Sequence, residues 1–325
     1  MATIREVARL AGVSPATVSR VMNGTAKVDE DKKKRVMDAI SETGFQPNKL
    51  ARALFKNSSG LIGLIVPNIE NPFFSELARA IEEEAYTRGY HIVLCSSGND
   101  TEKEYSNIRM LGQMKADGII LITNGEHTED MIQESELPVI VVDRHLTDRG
   151  EIAFIESDHY KGGMLATQCL VDSGCHNIVC MRGPQEYASG VLRYRGYQDI
   201  CRENGVKERY VDTEYSFESG RRAAEEILKR FPNVDGIVAA NDVVAISVYK
   251  VLRNAGINVP ADIQIVGFDD IGVSSLISPE LTTVRQPIKE MGRIAVDTIC
   301  RYVEGKPYQK ESVLDVALIK RETTK

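Results

Sequence analysis

The beginning of the chain carries apolar positions at helical spacing, which predicts three short helices. Ser14 is suited to cap the second helix, and Pro15 suits its first turn. Asn23-Gly24 is expected to end that helix, and Gly44 to end the third. The positions expected to face inward are Ile4, Val7, Ala8, Ala11, Val18, Val21, Met22, Val36 and Ile40. The pattern therefore predicts a small all-α domain over residues 1–46.

From residue 61 the pattern changes to short apolar strands that alternate with amphipathic helices, which is typical of parallel sheets built from β-α-β units. Asp117-Gly118-Ile119 and Asp235-Gly236-Ile237 open strands at comparable places in two successive series. The expected strands are 61–66, 90–95, 117–122, 138–143 and 152–156, and then 177–181, 209–213, 234–239, 262–268 and 282–285. We therefore predict an α/β body of two parallel-sheet lobes over residues 61–325, with helices between the first four strands.

Charge is distributed unevenly between these two parts. The chain of 325 residues has a formal net charge of −7. Residues 1–60 contain 11 Lys and Arg against 6 Asp and Glu, a net charge of +5, so residues 61–325 carry −12, the difference between −7 and +5. A basic first domain on an acidic body is expected when only the first domain approaches nucleic acid.

Composition excludes several other classes of protein. Apolar residues at 42% and charged residues at 27% are typical of a globular chain and not of a disordered one. No apolar run approaches the roughly 20 residues of a membrane span, and the first residues lack the pattern of a signal peptide. The six cysteines form no CxxC pair, so we expect reduced thiols in a cytoplasmic protein.

Two short helices joined by a turn at Gly12 are typical of a helix-turn-helix motif. In that motif the second helix enters the major groove of DNA and presents its N-terminal side chains to base edges. The non-core positions of the second helix carry groups that suit bases and phosphates: Ala16, Thr17, Ser19, Arg20 and Asn23. A three-helix bundle with a solvated polar face is the alternative interpretation.

The connector over residues 47–60 favours DNA binding. It contains a short basic helical patch from Lys49 to Lys56, which is too short to be stable alone in water. Leu50 and Leu54 would lie exposed on this patch, and a leucine can wedge between base steps of the minor groove while basic neighbours contact phosphates. An ordinary packed linker helix is the alternative.

The motif TIREVARLAGVSPATVSRVMNG, followed by QPNKLARAL, resembles the head and hinge of the lactose/galactose repressor family of bacterial transcription regulators. The resemblance continues through both lobes. It implies a homodimer whose two heads bind a pseudo-palindromic operator in double-stranded DNA, while paired hinge helices insert Leu54 into the minor groove. By matching position, the residues implied to contact DNA are Thr3, Ser14, Pro15, Ala16, Thr17, Ser19, Arg20, Asn23, Lys27, Asn48 and Leu54. Pro15 and Ala16 stand where family members vary, and these two leave apolar contact with a thymine methyl as the way to read a base.

Polar and aromatic side chains follow several predicted strands of the body, and ligands of parallel α/β sheets bind outside the carboxyl ends of the strands. Aromatic faces cover the apolar surface of a sugar ring, and Asp, Asn, Arg and Gln hydrogen-bond its hydroxyl groups. The residues concerned are Asn71, Phe73, Phe74, Asp143, Arg144, Arg193, Asn241, Asp269 and Gln286. Each could instead be a helix cap, a core residue or a surface ion pair, and their shared location is what favours a sugar site.

Within the family, the motifs NPFFSEL, DR, LRYRGY, AAND, GFDDI and RQP are most similar to those of ribose repressors and ribose-binding proteins. The resemblance implies that the nine residues above hold a pentose. It also implies one further aromatic contact, at Tyr215 or Phe217, of which Tyr215 is preferred.

These observations predict a sequence-specific transcriptional repressor controlled by ribose bound between its lobes, without catalytic residues, metal or cofactor. An enzyme would need a nucleophile, a base or a metal in the cleft, and the five histidines are dispersed along the chain. Two alternatives stay open: a catabolite regulator of the same family controlled by a phosphocarrier protein or another sugar, and a sugar-binding receptor without DNA function. The segment LIKRETTK has no apolar heptads, which favours a dimer over a tetramer joined by a coiled coil.

Overall fold

A computed structural model of the chain describes residues 2–23, 28–45, 58–123, 132, 135, 137–143 and 153–325. It contains two compact units, Met1–Ser59 and Gly60–Lys325, which we call the head and the body.

The head consists of α1 (Ile4–Ala11), α2 (Pro15–Asn23) and α3 (Glu30–Thr43), as the apolar spacing predicts. Thr3, Ser14 and Asp29 each accept the backbone N–H three residues further along, and these hydrogen bonds cap the three helices. Gly12 ends α1 at a φ of 63°, a conformation that strains residues with a Cβ atom. The buried core consists of Val7, Ala8, Ala11, Val18, Val36 and Ala39.

The described part of the body contains twelve strands and seven α-helices. The first series is β1 (Leu61–Val66), α4 (Pro72–Thr87), β2 (His91–Ser96), α5 (Thr101–Gln113), β3 (Gly118–Leu121), β4 (Val139–Val142) and β5 (Ala153–Ser157). The second is α6 (His159–Asp172), β6 (Ile178–Arg182), α7 (Ala188–Glu203), β7 (Tyr210–Asp212), α8 (Phe217–Arg230), β8 (Gly236–Val238), α9 (Asp242–Asn254), β9 (Gln264–Asp269), a 3-10 helix (Gly272–Ser275) and β10 (Thr282–Arg285). The chain ends with α10 (Ile288–Val303), β11 (Glu311–Leu314) and β12 (Ala317–Ile319).

The strands form two six-stranded sheets, one in each lobe of the body. The sheet of the first lobe has the order β11-β5-β4-β3-β1-β2, and all its pairs are parallel. The sheet of the second lobe has the order β12-β10-β9-β8-β6-β7, and only β12 is antiparallel to its neighbour. The chain passes between the lobes after β5, after β10 and after β11. This arrangement confirms the predicted class of two parallel-sheet lobes.

Several features of the chain differ from the prediction or lie outside the described residues. The strands β11 and β12 were absent from the predicted series, and strand ends differ from the prediction by one or two residues. The helix α10 returns to the first lobe, where Met291, Ala295 and Ile299 join its hydrophobic core. The helix expected between β3 and β4 falls mostly outside the described residues, and the basic patch of the connector falls entirely outside them.

The helices α6 and α7 of the second lobe pack closely because glycine lies at their contact. A Cβ atom at Gly163 would lie 2.1 Å from the carbonyl oxygen of Arg193. A Cβ atom at Gly196 would lie 2.3 Å from the carbonyl oxygen of Tyr160. The close approach therefore fixes the backbone of Arg193, which the sequence places in the sugar site.

We expect Gly163→Ala to lower the free energy of unfolding of the body by about 2 kcal/mol, because a methyl group against rigid backbone forces the two helices apart. The matched control is Gly112→Ala in α5, where nothing lies within 4 Å of the added Cβ atom. That control should be neutral or stabilising by up to about 1 kcal/mol. Urea unfolding followed by circular dichroism measures both changes, and equal midpoints for the two variants would contradict the prediction.

Candidate functional site

Polar side chains of both lobes lie at the carboxyl ends of parallel strands. In the first lobe, Asn71 follows β1 and Asp143 follows β4. In the second lobe, Asn241 follows β8, Asp269 ends β9 and Gln286 follows β10. All five side chains are buried.

A series of contacts connects the two lobes through three of these side chains and two others, His159 and Arg193. Nε2 of His159 lies 3.5 Å from Oδ1 of Asp143, and Nε of Arg193 lies 3.4 Å from Nδ1 of His159. Nη2 of Arg193 lies 3.9 Å from Oδ1 of Asp269, and Nε2 of Gln286 donates to that same oxygen over 2.8 Å. We call Asp143, His159, Arg193, Asp269 and Gln286 the cleft cluster.

The guanidinium group of Arg193 is held on several sides. It stacks over the ring of Phe268, with 3.6 Å between Cζ and the ring centroid, and lies 5.7 Å from the ring centroid of Tyr215. Its Nη1 atom donates to the carbonyl oxygen of Ala240 over 2.8 Å. A planar donor group fixed beside an aromatic face is suited to hydrogen-bond the hydroxyl groups of a polyol.

Two carboxyl groups of the second lobe, those of Asp269 and Asp242, are buried at this edge. Burial raises the pKa of Asp269 well above its ordinary value, and the charge of Arg193 offsets part of that rise. Burial also raises the pKa of Asp242 to about 7, although Ser274 and Thr283 donate hydrogen bonds of 2.6 Å and 2.5 Å to its carboxylate.

Strained backbone marks the ends of two of these strands. The φ angle is 61° at Asp143, 117° at Asp269 and 59° at Asp270, in the region that residues with a Cβ atom rarely adopt. Ion pairs of 2.6 Å from Arg285 and Arg321 hold the side chain of Asp270. Such strain is often found at binding sites, where the surrounding structure holds it in place.

The asparagines and phenylalanines of the predicted site also have structural contacts. Asn71 caps α4 and Asn241 caps α9, each by accepting a backbone N–H. Phe73 and Phe74 belong to the core of the first lobe, with ring centroids 5.4 Å apart. Asn71 also lines a cavity of about 490 Å³ with Tyr215, on the second lobe.

Two of the predicted DNA-contacting residues of α2, Ala16 and Arg20, lie on the side of the helix opposite its buried core residue Val18. Val18 is fully buried, whereas Pro15, Ala16 and Arg20 are exposed. Oγ of Ser14 lies 3.0 Å from Oγ1 of Thr17, in addition to capping the helix. Thr17 and Ser19 are half-buried.

Two family models match the chain, over residues 59–325 and residues 3–48. The first is described as periplasmic binding proteins and the sugar binding domain of the LacI family, and the second as bacterial regulatory proteins of the lacI family. The chain belongs to the LacI family. This membership confirms the family resemblance, and it confirms the expectation of a regulator and not an enzyme.

Similar proteins cover 81% or more of this LacI-family chain. A ribose operon repressor from Halalkalibacterium halodurans is 38% identical over 100% of this chain and 98% of its own length. A lac repressor dimer bound to operator and the anti-inducer ONPF has a TM-score of 0.88 at 27% identity, covering 99% of each chain. A LacI-family transcriptional regulator from Enterococcus faecium with bound ribose has a TM-score of 0.73 at 29% identity, covering 81% of this chain and 98% of that chain.

Several predicted site residues of this LacI-family chain lie outside the described residues. They are Lys27, Asn48, Leu54 and Arg144, and the side chain of Asn23 is likewise not described. Their roles stay predictions. In the part of the chain that the structure describes, no three His, Cys, Asp or Glu side chains are grouped to hold a metal ion. None of the described helices combines the length and apolar character that crossing a membrane requires.

The cleft of this LacI-family chain contains two residues that the sequence analysis did not select. His159 connects Asp143 to Arg193, and the ring of Phe268 stacks against the guanidinium group of Arg193. The signal for His159 was its position two residues after β5, at the same edge as the other strand ends. Phe268 directly precedes Asp269, but its buried position in β9 made it indistinguishable from a core residue.

Proposed function

We propose that the chain is a transcriptional repressor whose binding to operator DNA is controlled by ribose held between the two lobes. The cleft cluster is the observation that carries this proposal, because it brings charged and amide groups of both lobes within 4 Å of one another at the strand ends. The ribose operon repressor that the chain resembles, and the similar regulator with bound ribose, support the choice of sugar.

Two buried polar atoms favour a ligand rich in hydroxyl groups. Among the described residues, neither Oε1 of Gln286 nor the hydroxyl of Tyr215 has a hydrogen-bond partner. A buried polar group without a partner costs about 1–3 kcal/mol, and a sugar hydroxyl would remove that cost. We propose that Asn71, Asp143, Arg193, Asn241, Asp269 and Gln286 hydrogen-bond the sugar, with Arg144 beside them, and that Phe73, Phe74 and Tyr215 pack against its ring.

The head is proposed to read the operator through the exposed side of α2. Pro15, Ala16, Thr17, Ser19, Arg20 and Asn23 would contact bases and phosphates, with Thr3, Ser14, Lys27 and Asn48 on the backbone and Leu54 in the minor groove. Residues 1–60 carry +5 and residues 61–325 carry −12, so the affinity for DNA should fall steeply with salt.

Control requires that ribose bind one arrangement of the lobes more tightly than another, because an effector shifts an equilibrium only by its differential affinity. The chain crosses between the lobes after β5, after β10 and after β11. A change in the relative orientation of the lobes would then move the connectors that lead to the two heads of a homodimer. We propose this homodimer as the form that binds DNA in the cytoplasm.

The experiment begins with calorimetric titration of the purified chain with ribose, and with glucose, galactose and fructose as controls. Operator DNA is selected on the immobilised chain from a random double-stranded library, and its binding is followed by fluorescence anisotropy at fixed salt. We expect ribose alone of the four sugars to change operator affinity at millimolar concentration. Selected DNA with no response to ribose would overturn the ribose assignment, and a response only to a phosphocarrier protein would support the catabolite regulator. If no DNA were selected, that result would contradict the proposed function as a DNA-binding repressor.

A further inference from the structure

In the cleft cluster, the ring of His159 lies between the guanidinium group of Arg193, in the second lobe, and the carboxylate of Asp143, in the first lobe. The side chain is buried, with 1% of its surface exposed, and stands in the first turn of α6, just after the chain leaves β5. Nδ1 lies 3.4 Å from both Nε and Nη2 of Arg193, on α7 of the second lobe. Nε2 lies 3.5 Å from Oδ1 of Asp143, at the end of β4 in the first lobe.

The partners of His159 determine which nitrogen carries the proton. A guanidinium group only donates hydrogen bonds, so Nδ1 must offer a lone pair to Arg193. A neutral imidazole with a free Nδ1 carries its proton on Nε2, which here faces the carboxylate of Asp143. These distances favour the neutral Nε2–H tautomer, with its acceptor toward the cation and its donor toward the anion.

Protonation of the His159 ring would turn its contact with Arg193 from favourable to unfavourable. An added proton on Nδ1 would point at the Arg193 guanidinium and remove its acceptor, while the attraction to Asp143 would increase. Among the described residues, the other contacts of the Arg193 side chain belong to the second lobe: Phe268, Tyr215, the carbonyl of Ala240 and Asp269. His159 is thus the described residue through which Arg193 is connected to Asp143 of the first lobe.

We propose that His159 is a positioning residue for the sugar: in its neutral form it orients Arg193 and Asp143 toward each other across the cleft, and its protonation weakens sugar binding. This inference rests on the proposed function, since it assumes that Arg193 and Asp143 hydrogen-bond the ligand. It makes sugar affinity depend on pH through a residue that the sugar does not touch.

Other ionisable groups of the cleft constrain how the pH dependence is measured. Among the described residues, the charged groups that face His159 are Asp143 and Arg193, with Asp269 behind Arg193. The pKa of Asp269 is raised by burial, as is that of Asp242, so both carboxyl groups contribute to any pH profile. The informative quantity is therefore the difference between the parent chain and a variant that changes only residue 159.

The test compares ribose affinity by calorimetry at about pH 8 and about pH 5.5 for three chains. His159→Gln keeps an uncharged acceptor and donor, so it should bind within about threefold of the parent at the higher pH. His159→Phe keeps a ring without hydrogen bonds, and it should bind about tenfold or more weakly at both pH values. The parent should lose about tenfold more affinity between the two pH values than His159→Gln does.

His176→Gln is the matched control, because His176 is an exposed histidine of the same lobe, and it should keep the parent's pH profile. Thermal unfolding of each chain separates positioning from folding. The proposal would be overturned if His159→Phe bound ribose as tightly as the parent. It would also be overturned if the parent and His159→Gln had the same pH profile. Affinity losses that follow the melting temperature in both variants would also overturn it. Absence of ribose binding by the parent itself would contradict the proposed function instead.

Discussion

Arg193→Ala is expected to weaken ribose binding by about a hundredfold or more, while operator binding without sugar stays close to that of the parent chain. A hydrogen bond to a charged group contributes about 1.5–3 kcal/mol, and the guanidinium fork can make two to a sugar. The substitution also removes the cation 3.9 Å from the buried Asp269 carboxylate. The pKa of Asp269, already raised by burial, should then rise further, because Arg193 is the largest influence opposing that rise.

Two further variants make this expectation specific to the guanidinium group. Arg193→Lys keeps the charge but neither the planar fork nor the stacking over Phe268, so it should recover only part of the affinity. The control is Arg202→Ala on the same helix. The side chain of Arg202 is 74% exposed and pairs with Asp199, so this variant should bind ribose like the parent. Calorimetry gives the affinities and anisotropy the operator response. Parent-like ribose affinity in Arg193→Ala would contradict the assignment of this residue to the sugar.

The alternation of apolar and polar positions predicts most of the fold because it reports local structure. The three helices of the head and ten of the strands follow from spacing, glycines and caps that lie within a few residues of one another. The sequence did not predict that α10 and β11 return to the first lobe, because their partners are far away in the chain. Val313 in β11 is exposed, so that strand also lacks the continuous apolar run of a central parallel strand.

The candidate site could be predicted only as a set of strand ends. Asp143, Asp269 and Gln286 were found because each directly follows or ends an apolar run. His159 follows β5 by two residues, but that position alone does not distinguish it from a buried core histidine, because its role depends on one neighbour after β4 and another on α7. The glycine that admits the backbone of Arg193 was likewise invisible without the helix packing.

Two side chains of the head have a structural role in addition to their predicted contact with DNA. Thr3 and Ser14 were selected as DNA contacts, and both hydroxyl groups cap helices. A substitution at either position would therefore change helix stability together with any contact to DNA. Ala16 has no such second role, since its side chain is exposed and carries no polar atom. It is the better position at which to separate folding from DNA binding.

Ala16→Glu is expected to weaken operator binding by about a hundredfold or more without destabilising the head. Residue 16 stands in the first turn of α2, where a carboxylate is favourable to the helix by about 0.3–1 kcal/mol. On DNA the same carboxylate would face phosphates and base edges, and like charges brought together at an interface cost several kcal/mol. Anisotropy with selected operator DNA measures the affinity, and thermal unfolding reports on the head.

Met37→Glu is the matched control for this substitution. It adds the same single negative charge at an exposed position, 54% accessible, but on α3. Its effect should be limited to the general repulsion that salt screens, a severalfold loss that shrinks as salt is raised. The loss in Ala16→Glu should persist at higher salt, because it comes from a carboxylate held against the operator. Equal losses in the two variants at every salt concentration would mean that α2 does not present its first turn to DNA.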